Sequence, residues 1–549
     1  MKYFLSLISN LINIIYSMVN FIKKFSFNIF LILLFLLISI IFIEKNFNIN
    51  YFSYKKVPLL ININGLITEK KKINQKTIYF ISKFINLNFQ KNKENSIFEI
   101  VDKIRQAKND NKINGIILDL QNFSGSSQNL LEYIGKSLKE FSFSKKPIYS
   151  IANNYSQSQY YISSFSDKIF LCSQGKINID KYKINQFYYK NFLKYLKVQF
   201  NIVKIKKNKS IIRFYPKKRV TTQSTILQKK WINFLWKRFI KKIKKNRNIR
   251  YKKISYSKKK LIKGFKKNSE KFSEYERNKK LVDFIYPYPK IRKILIKKFG
   301  FNKKKNNFNY ININDYHIKN KKSLNKIAVI ILDGFISENK NYIINKIKIA
   351  KKRKDIKALI FRINTPGGNI IFSERIREEL INFKDSKKPV IISMGQIVAS
   401  EGYRIASVGD YIFAHPTTLI SPIKIFNVKN TFNKLIYKLK IDRNKFYSSF
   451  FIKNNLFKKF KKNKKKIIQL KIKYDYLNNL KKIAKSRKLS LKKIKKLEKK
   501  EIYIGIEGKN NKLVDFIGDF DDALKKTIFL SNISNYQIIW MKKNNYFLN

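Results

Sequence analysis

Beyond its first fifty residues the chain alternates two hydrophobic rhythms. Short runs rich in β-branched residues, such as Ile116 to Leu120 and Val390 to Ser393, read as buried strands. Between such runs lie segments whose apolar residues return every three or four positions. Ser96 to Asp110 is one, with Ile97, Ile100, Val101 and Ile104 on one face and Ser96 and Glu99 at capping-box spacing. Glu374 to Lys384 is another. Strands that alternate with helices predict βαβ units, and so an α/β fold with largely parallel sheets covered by helices.

The pattern also repeats. Leu59 to Thr68 (LLININGLIT) resembles Val329 to Ser337 (VIILDGFIS), and Asn114 to Leu120 resembles Lys357 to Ile363. Ser144 to Ile151 (SKKPIYSI) returns as Ser386 to Ser393 (SKKPVIIS), and Asn278 to Ile285 (NKKLVDFI) as Asn510 to Ile517 (NNKLVDFI). Four matches in one order mark two tandem repeats, 57–302 and 326–549, joined by a Lys/Asn-rich connector, 303–325.

Residues 1–50 follow a different rule. Phe25 to Ile43 carries no charge, and as a helix of about 28 Å it is long enough to span a bilayer. Lys23 and Lys24 precede it, which favours a cytoplasmic N-terminus and places the rest of the chain on the outer side of the membrane. The span ends in Glu44-Lys45-Asn46 without a small-residue cleavage site, so an anchor is expected rather than a removed signal. Tyr3 to Met18, apolar but broken by Ser and Asn, reads as an interfacial helix.

Composition narrows the chemistry. Lys and Arg number 119 against 34 Asp and Glu, a net charge of +85. Gly is scarce, at 16 of 549, while Ile, Lys, Asn, Phe and Tyr crowd every segment; these are the residues of A/T-rich codons, so the charge is read mainly as compositional bias. Basic runs such as Phe457 to Lys466 lack regularly interleaved aromatics and match no recognition module, which argues against specific nucleic-acid binding. Cys172 is the only cysteine, which removes intrachain disulfides and Cys-based zinc sites. With only His317 and His415, a multi-histidine metal site is close to excluded, and a hydrolase built here is expected to use a base other than histidine, with no metal or cofactor.

Where the repeats differ, chemistry is expected. After the strand ending at Ile363 comes NTPGGN, Asn364 to Asn369; the first repeat has QNFSGS, Gln121 to Ser126. Gly367-Gly368 permits close backbone approach, so the turn is either an oxyanion donor or an ordinary strand-to-helix connection. Ser400, in Met394 to Ser407 (MGQIVASEGYRIAS), falls where a strand passes through a Gly-containing turn into a helix, as a nucleophile or as a helix N-cap. Aligning Pro147 with Pro389 sets Ser158 opposite Ser400, and the glycine turn favours Ser400. With histidine scarce, a Lys of lowered pKa is the alternative base; composition does not select which.

Together these stretches resemble the signal peptide peptidase A (protease IV) family in its long tandem form, nearly end to end. They include Glu94 to Asp110, Ile148 to Leu171, Trp231 to Trp236, Arg362 to Gly368, Ser393 to Tyr403 and Lys512 to Leu524. The resemblance implies two Clp/crotonase-like repeats and a Ser-Lys endopeptidase on a bacterial inner membrane, single-pass, with its catalytic region on the periplasmic side. It implies a homotetramer acting on signal-peptide remnants and other extended hydrophobic peptides. Ser400 matches the nucleophile, Lys209 the general base from the first repeat, and the backbone N–H groups of Gly368 and Glu401 the oxyanion donors.

Two positions depart from that pattern. The family usually has Gly after the nucleophile, and here Glu401 brings a carboxylate towards the oxyanion site. In Thr417 to Asn427, Pro422 stands where a base-orienting Ser is expected, with Ser421 one place earlier as its substitute. These departures support an alternative expectation, a decayed member serving as a noncatalytic membrane scaffold.

Overall fold

A computed structural model describes residues 18, 28, 31–39, 56–70, 94–185, 188–204, 222–250, 254, 272–318, 323–421, 426–441, 462–500 and 502–541. The chain forms two units, Met1–Val57 and Pro58–Asn549. In the first, residues 31–39 are helical and the large apolar side chains from Leu31 to Ile38 are exposed. Part of the expected Phe25 to Ile43 span lies outside the described residues, and no described helix is long and apolar enough to cross a membrane.

The second unit is α/β. In the first repeat, strands β1 (Val57–Asn62), β2 (Ile113–Asp119), β3 (Ile148–Ala152) and β4 (Lys168–Leu171) alternate with helices α1 (Ile97–Asn109), α2 (Gln128–Ser142) and α3 (Gln157–Ser163). Strand β5 (Gln199–Lys204) leaves this sheet; β6 (Phe284–Ile285) and β7 (Ile311–Asn312) complete its order β7-β1-β2-β3-β4-β6. The pairs β1–β7, β2–β3, β3–β4 and β4–β6 are parallel. Central strands are buried on both faces, which is why Ile116, Ile117 and Leu118 run without polar interruption.

The second repeat follows the same plan with β8 (Lys326–Asp333), β9 (Ile356–Thr365), α4 (Ile370–Asp385), β10 (Val390–Ala399), α5 (Glu401–Ala406), β11 (Tyr411–Ala414) and β12 (Leu419–Ser421). Strand β13 (Phe426–Thr431) leaves the sheet. Then come β14 (Tyr503–Ile504), β15 (Phe516–Ile517), α6 (Phe520–Ser531) and β16 (Gln537–Trp540). The sheet order is β14-β12-β10-β9-β8-β16, with β11 between β10 and β15; β12–β14 is its antiparallel pair.

The repeats share more than a boundary. Phe520 and Ile533 from the C-terminal end belong to the first repeat's core, and the Phe98 ring lies 4.9 Å from Phe520 and 4.5 Å from Trp540. Arg105 on α1 binds Asp521 on α6, 2.5 Å away, and Glu140 on α2. Glu69 from the first repeat forms a buried ion pair with Arg362 on β9, at 2.7 Å with exposures of 3% and 6%. Finally β5 and β13, one from each repeat, form an antiparallel ribbon in which Lys204 faces Phe426.

Three expectations change in detail. The stretch read as connector carries β7, and Ile313 and Tyr316 are buried in the first core, so its apolar positions serve the sheet beside it. Ser96 does precede α1, but its side chain makes no capping bond, because Ser96 ends a strand paired to Thr68. The strand beginning at Val390 does not turn at Gly395. It continues to Ala399 by changing partner, from β11 over Ile391 to Met394 to β12 over Ile397 to Ala399. Gly395 is needed there because a Cβ would lie 2.7 Å from Asn364 Cβ and 2.8 Å from Glu69 Oε1.

Candidate active site

Ser400 stands at the sharp junction between β10 and α5. Its backbone is left-handed, φ 54° and ψ −119°, a conformation that costs a non-glycine residue about 1–3 kcal/mol and so has to be imposed by its surroundings. Two contacts impose it. The Ser400 amide donates to Ser421 O at 3.0 Å, in register with the Ala399–Ser421 pair, and the Tyr403 amide donates back to Ser400 O at 3.0 Å. Such a junction lifts a serine hydroxyl off the end of the sheet.

The first repeat lacks it. Ser158 lies inside α3, whose N-cap is Ser156. The buried tyrosines show the true correspondence: Tyr160 Oη donates to Leu281 O at 2.7 Å and Tyr403 Oη to Leu513 O at 2.9 Å, while Ser164 and Ser407 end the two helices. That alignment is one residue longer than the Pro147–Pro389 match. It sets Gln157, not Ser158, opposite Ser400, and Ser158 opposite Glu401. The proline match misses the one-residue difference because it arises beyond the proline, where β10 runs on past the length of β3.

Facing Ser400 is the glycine turn. Gly367 has φ 106° and Gly368 φ 156°. The turn is tied to the segment after β8, with Ile336 N donating to Gly367 O at 3.0 Å and Asn369 N to Ile336 O at 2.8 Å. A Cβ on Gly368 would lie 2.2 Å from Ile336 O and 2.7 Å from Ile336 N, both backbone atoms that cannot step aside. Asn369 then caps α4 by accepting from Ile371 N at 2.8 Å and Phe372 N at 3.3 Å.

The Glu401 side chain does not point away from this turn. It is only 6% exposed, and Oε2 accepts from the Gly368 amide at 3.4 Å. The carboxylate also receives hydrogen bonds from the Ser400 hydroxyl and from its own backbone N–H. Burial pushes its pKa above the ordinary carboxylate value, against the opposing pull of these donors and of the Arg404 guanidinium. Arg404 is chiefly engaged elsewhere, with Glu374 at 2.9 Å, Asn479 at 2.7 Å and the Ser373 hydroxyl. Both amides expected at an oxyanion site thus converge on one carboxylate of the chain itself.

Other expected residues are placed unevenly. Ser421 is brought next to Ser400 through its carbonyl. Lys209 and Pro422 lie outside the described residues. Two groups were not singled out from sequence: the Glu69–Arg362 pair, and Asn364, which accepts from Ile397 N at 3.1 Å and donates to Asp333 Oδ1 at 2.7 Å. The lone Glu of GLITEK and the Arg of FRINTPGG carried a faint signal for the first, as charges set at the end of one apolar run and inside another. His415 is held between Thr417, 2.7 Å from Nδ1, and Glu132, 3.2 Å from Nε2.

Comparison with known proteins adds a family to this geometry. The profile of peptidase family S49 matches residues 140–266 and 382–534, one stretch in each repeat. The chain is also 32% identical over 528 residues to Protease 4 of Salmonella typhi, covering 94% of this chain and 85% of that relative. The chain belongs to peptidase family S49. Protease 4 of Haemophilus influenzae is 29% identical over 508 residues, covering 89% of this chain and 82% of its own length. A shorter match is the putative signal peptide peptidase SppA of Enterococcus faecium, 28% identical over 188 residues, 34% of this chain and 54% of that protein.

Proposed function

We propose that this S49 member is a membrane-anchored serine endopeptidase in which Ser400 attacks the peptide carbonyl and Lys209 takes its proton. Its proposed substrates are cleaved signal peptides and other extended hydrophobic peptides. The observation that carries the reading is Ser400 in its left-handed junction, facing the amides of Gly368 and Glu401. Two N–H donors on one point are what a developing oxyanion requires. Support for Lys209 is a matter of chain reach. Lys204 faces Phe426 in the ribbon, Lys209 follows the one by five residues, and Ser421, whose carbonyl holds the Ser400 amide, precedes the other by five. Ser421 is the proposed orienter of that base.

The exposed apolar side chains from Leu31 to Ile38, behind Lys23 and Lys24, support a single membrane anchor with the repeats on the periplasmic side. A homotetramer is part of the same proposal. A second reading, a noncatalytic scaffold, draws on Glu401, because a buried carboxylate already bonds both amides. Labelling of the full chain in detergent by a serine-directed fluorophosphonate separates the two. A protease loses its label in Ser400→Ala and keeps it in Ser158→Ala, and Lys209→Ala removes most peptide turnover. A scaffold shows no label that depends on Ser400.

A further inference from the structure

Glu401 and its counterpart Ser158 each lie against the glycine turn of their own repeat. In the first repeat, a Cβ on Gly125, the counterpart of Gly368, would lie 3.3 Å from the Ser158 hydroxyl; in the second, a Cβ on Gly367, one residue earlier in the turn, would lie 3.0 Å from Glu401 Oε2, which accepts from the Gly368 amide. In both repeats this side chain is directed towards the glycine turn. A serine there is short, whereas a glutamate is long enough to reach the Gly368 amide, which it does. It is also negatively charged, as the oxygen of an attacked carbonyl becomes during reaction.

We propose that the Glu401 carboxylate is an intramolecular occupant of the oxyanion site, which an incoming peptide carbonyl has to displace before Ser400 can attack. The inference rests on the proposed peptidase reading and adds a resting state to it. Three observations carry it: Gly368 N–H donates to Oε2, the Glu401 backbone N–H donates to the same carboxylate, and so does the Ser400 hydroxyl. The nucleophile and both oxyanion donors are thus held by one group. Among the described residues Arg404 is the cation that acts on this carboxylate, and Glu374, Asn479 and Ser373 hold its guanidinium, so it favours the ionised form without a direct bond to it. Burial works against the ionised form and so weakens its hold on the two amides.

A self-occupied site behaves as one whose competent fraction is reduced. Every reagent that needs the oxyanion position reacts more slowly by that fraction. Fluorophosphonate labelling reads it directly, because as Ser400 Oγ bonds to phosphorus and fluoride leaves, the phosphoryl oxygen takes the oxyanion position. Removing the occupant in Glu401→Gly is expected to speed Ser400-dependent labelling about 3- to 30-fold, which corresponds to a competent fraction of about 3–30% in the parent protein. Glu401→Gln keeps the shape but replaces a charge-assisted acceptor with a neutral one of roughly half the strength, and should fall between the two. The vacated site should also accept a free carboxylate. Formate, titrated against chloride at constant ionic strength, should slow labelling of Glu401→Gly and leave the parent protein unaffected.

Ser400-dependent labelling that is no faster in either variant overturns the inference while leaving the nucleophile in place. So does formate without effect on a Glu401→Gly protein that retains its thermal transition. Absence of Ser400-dependent labelling in the parent and in both variants overturns the peptidase reading, and this inference with it.

Discussion

A carboxylate that is buried more deeply than it is paired makes stability depend on pH, and Glu401 is such a group. Its folded pKa is raised by burial. Between the unfolded value, near 4.3, and the folded one, the native state holds a proton that the unfolded chain has released. Stability therefore falls as pH rises through that window, and the penalty stays in full above it. Glu401→Gln removes the ionisation, so its melting temperature, relative to the parent protein, should be higher at pH 8 than at pH 4. A difference that does not change with pH would mean that Glu401 is not desolvated in the native state. The sequence showed that a carboxylate stood where the family has glycine, but not which way it pointed. That direction is set by the left-handed Ser400 backbone, a dihedral fixed by contacts with Ser421 and Tyr403.

Helix termini show which local signals carry weight. Asp519 caps α6 by accepting from Asp521 N at 2.8 Å and Asp522 N at 3.3 Å, while Asp522 Oδ2 accepts from Asp519 N at 2.8 Å. Ser96, with an equally good motif, makes no such bond. Asp519→Ala, which also removes an ion pair with Lys136, should therefore cost at least about 1 kcal/mol, and Ser96→Ala less than about 0.5, in urea denaturation. Equal costs would show that Ser96 caps α1 in solution. The same contrast marks how far the elements were legible. Periodicity located α1 and α4 to within a few residues, because their buried stripes repeat locally. The far end of β10 was not legible: its continuation past Gly395 depends on β12, a partner supplied from later in the chain.

At the scale of the molecule, the two repeats are held together by polar and aromatic contacts that no motif announces. Arg362→Met would leave Glu69 buried without its cation, which should cost about 3–5 kcal/mol in chemical denaturation, whereas the double variant Glu69→Leu/Arg362→Met should recover most of it. A double variant as unstable as the single one would mean that the pair's role lies in its other bonds, to Ser393 and Met394. The repeats themselves were plain in the sequence, since the matches are ordered; that each completes the other was not. Phe520, Ile533 and Trp540 fill the core around Phe98, although more than four hundred residues separate them along the chain. This has a consequence in time. A ribosome adding about 5–20 residues per second reaches Trp540 roughly 12–48 s after it has finished the first repeat. Throughout that interval the aromatic floor beneath Phe98 is without its lid, so the nascent first half waits, open to chaperones and proteases, for the last segment of the second to arrive.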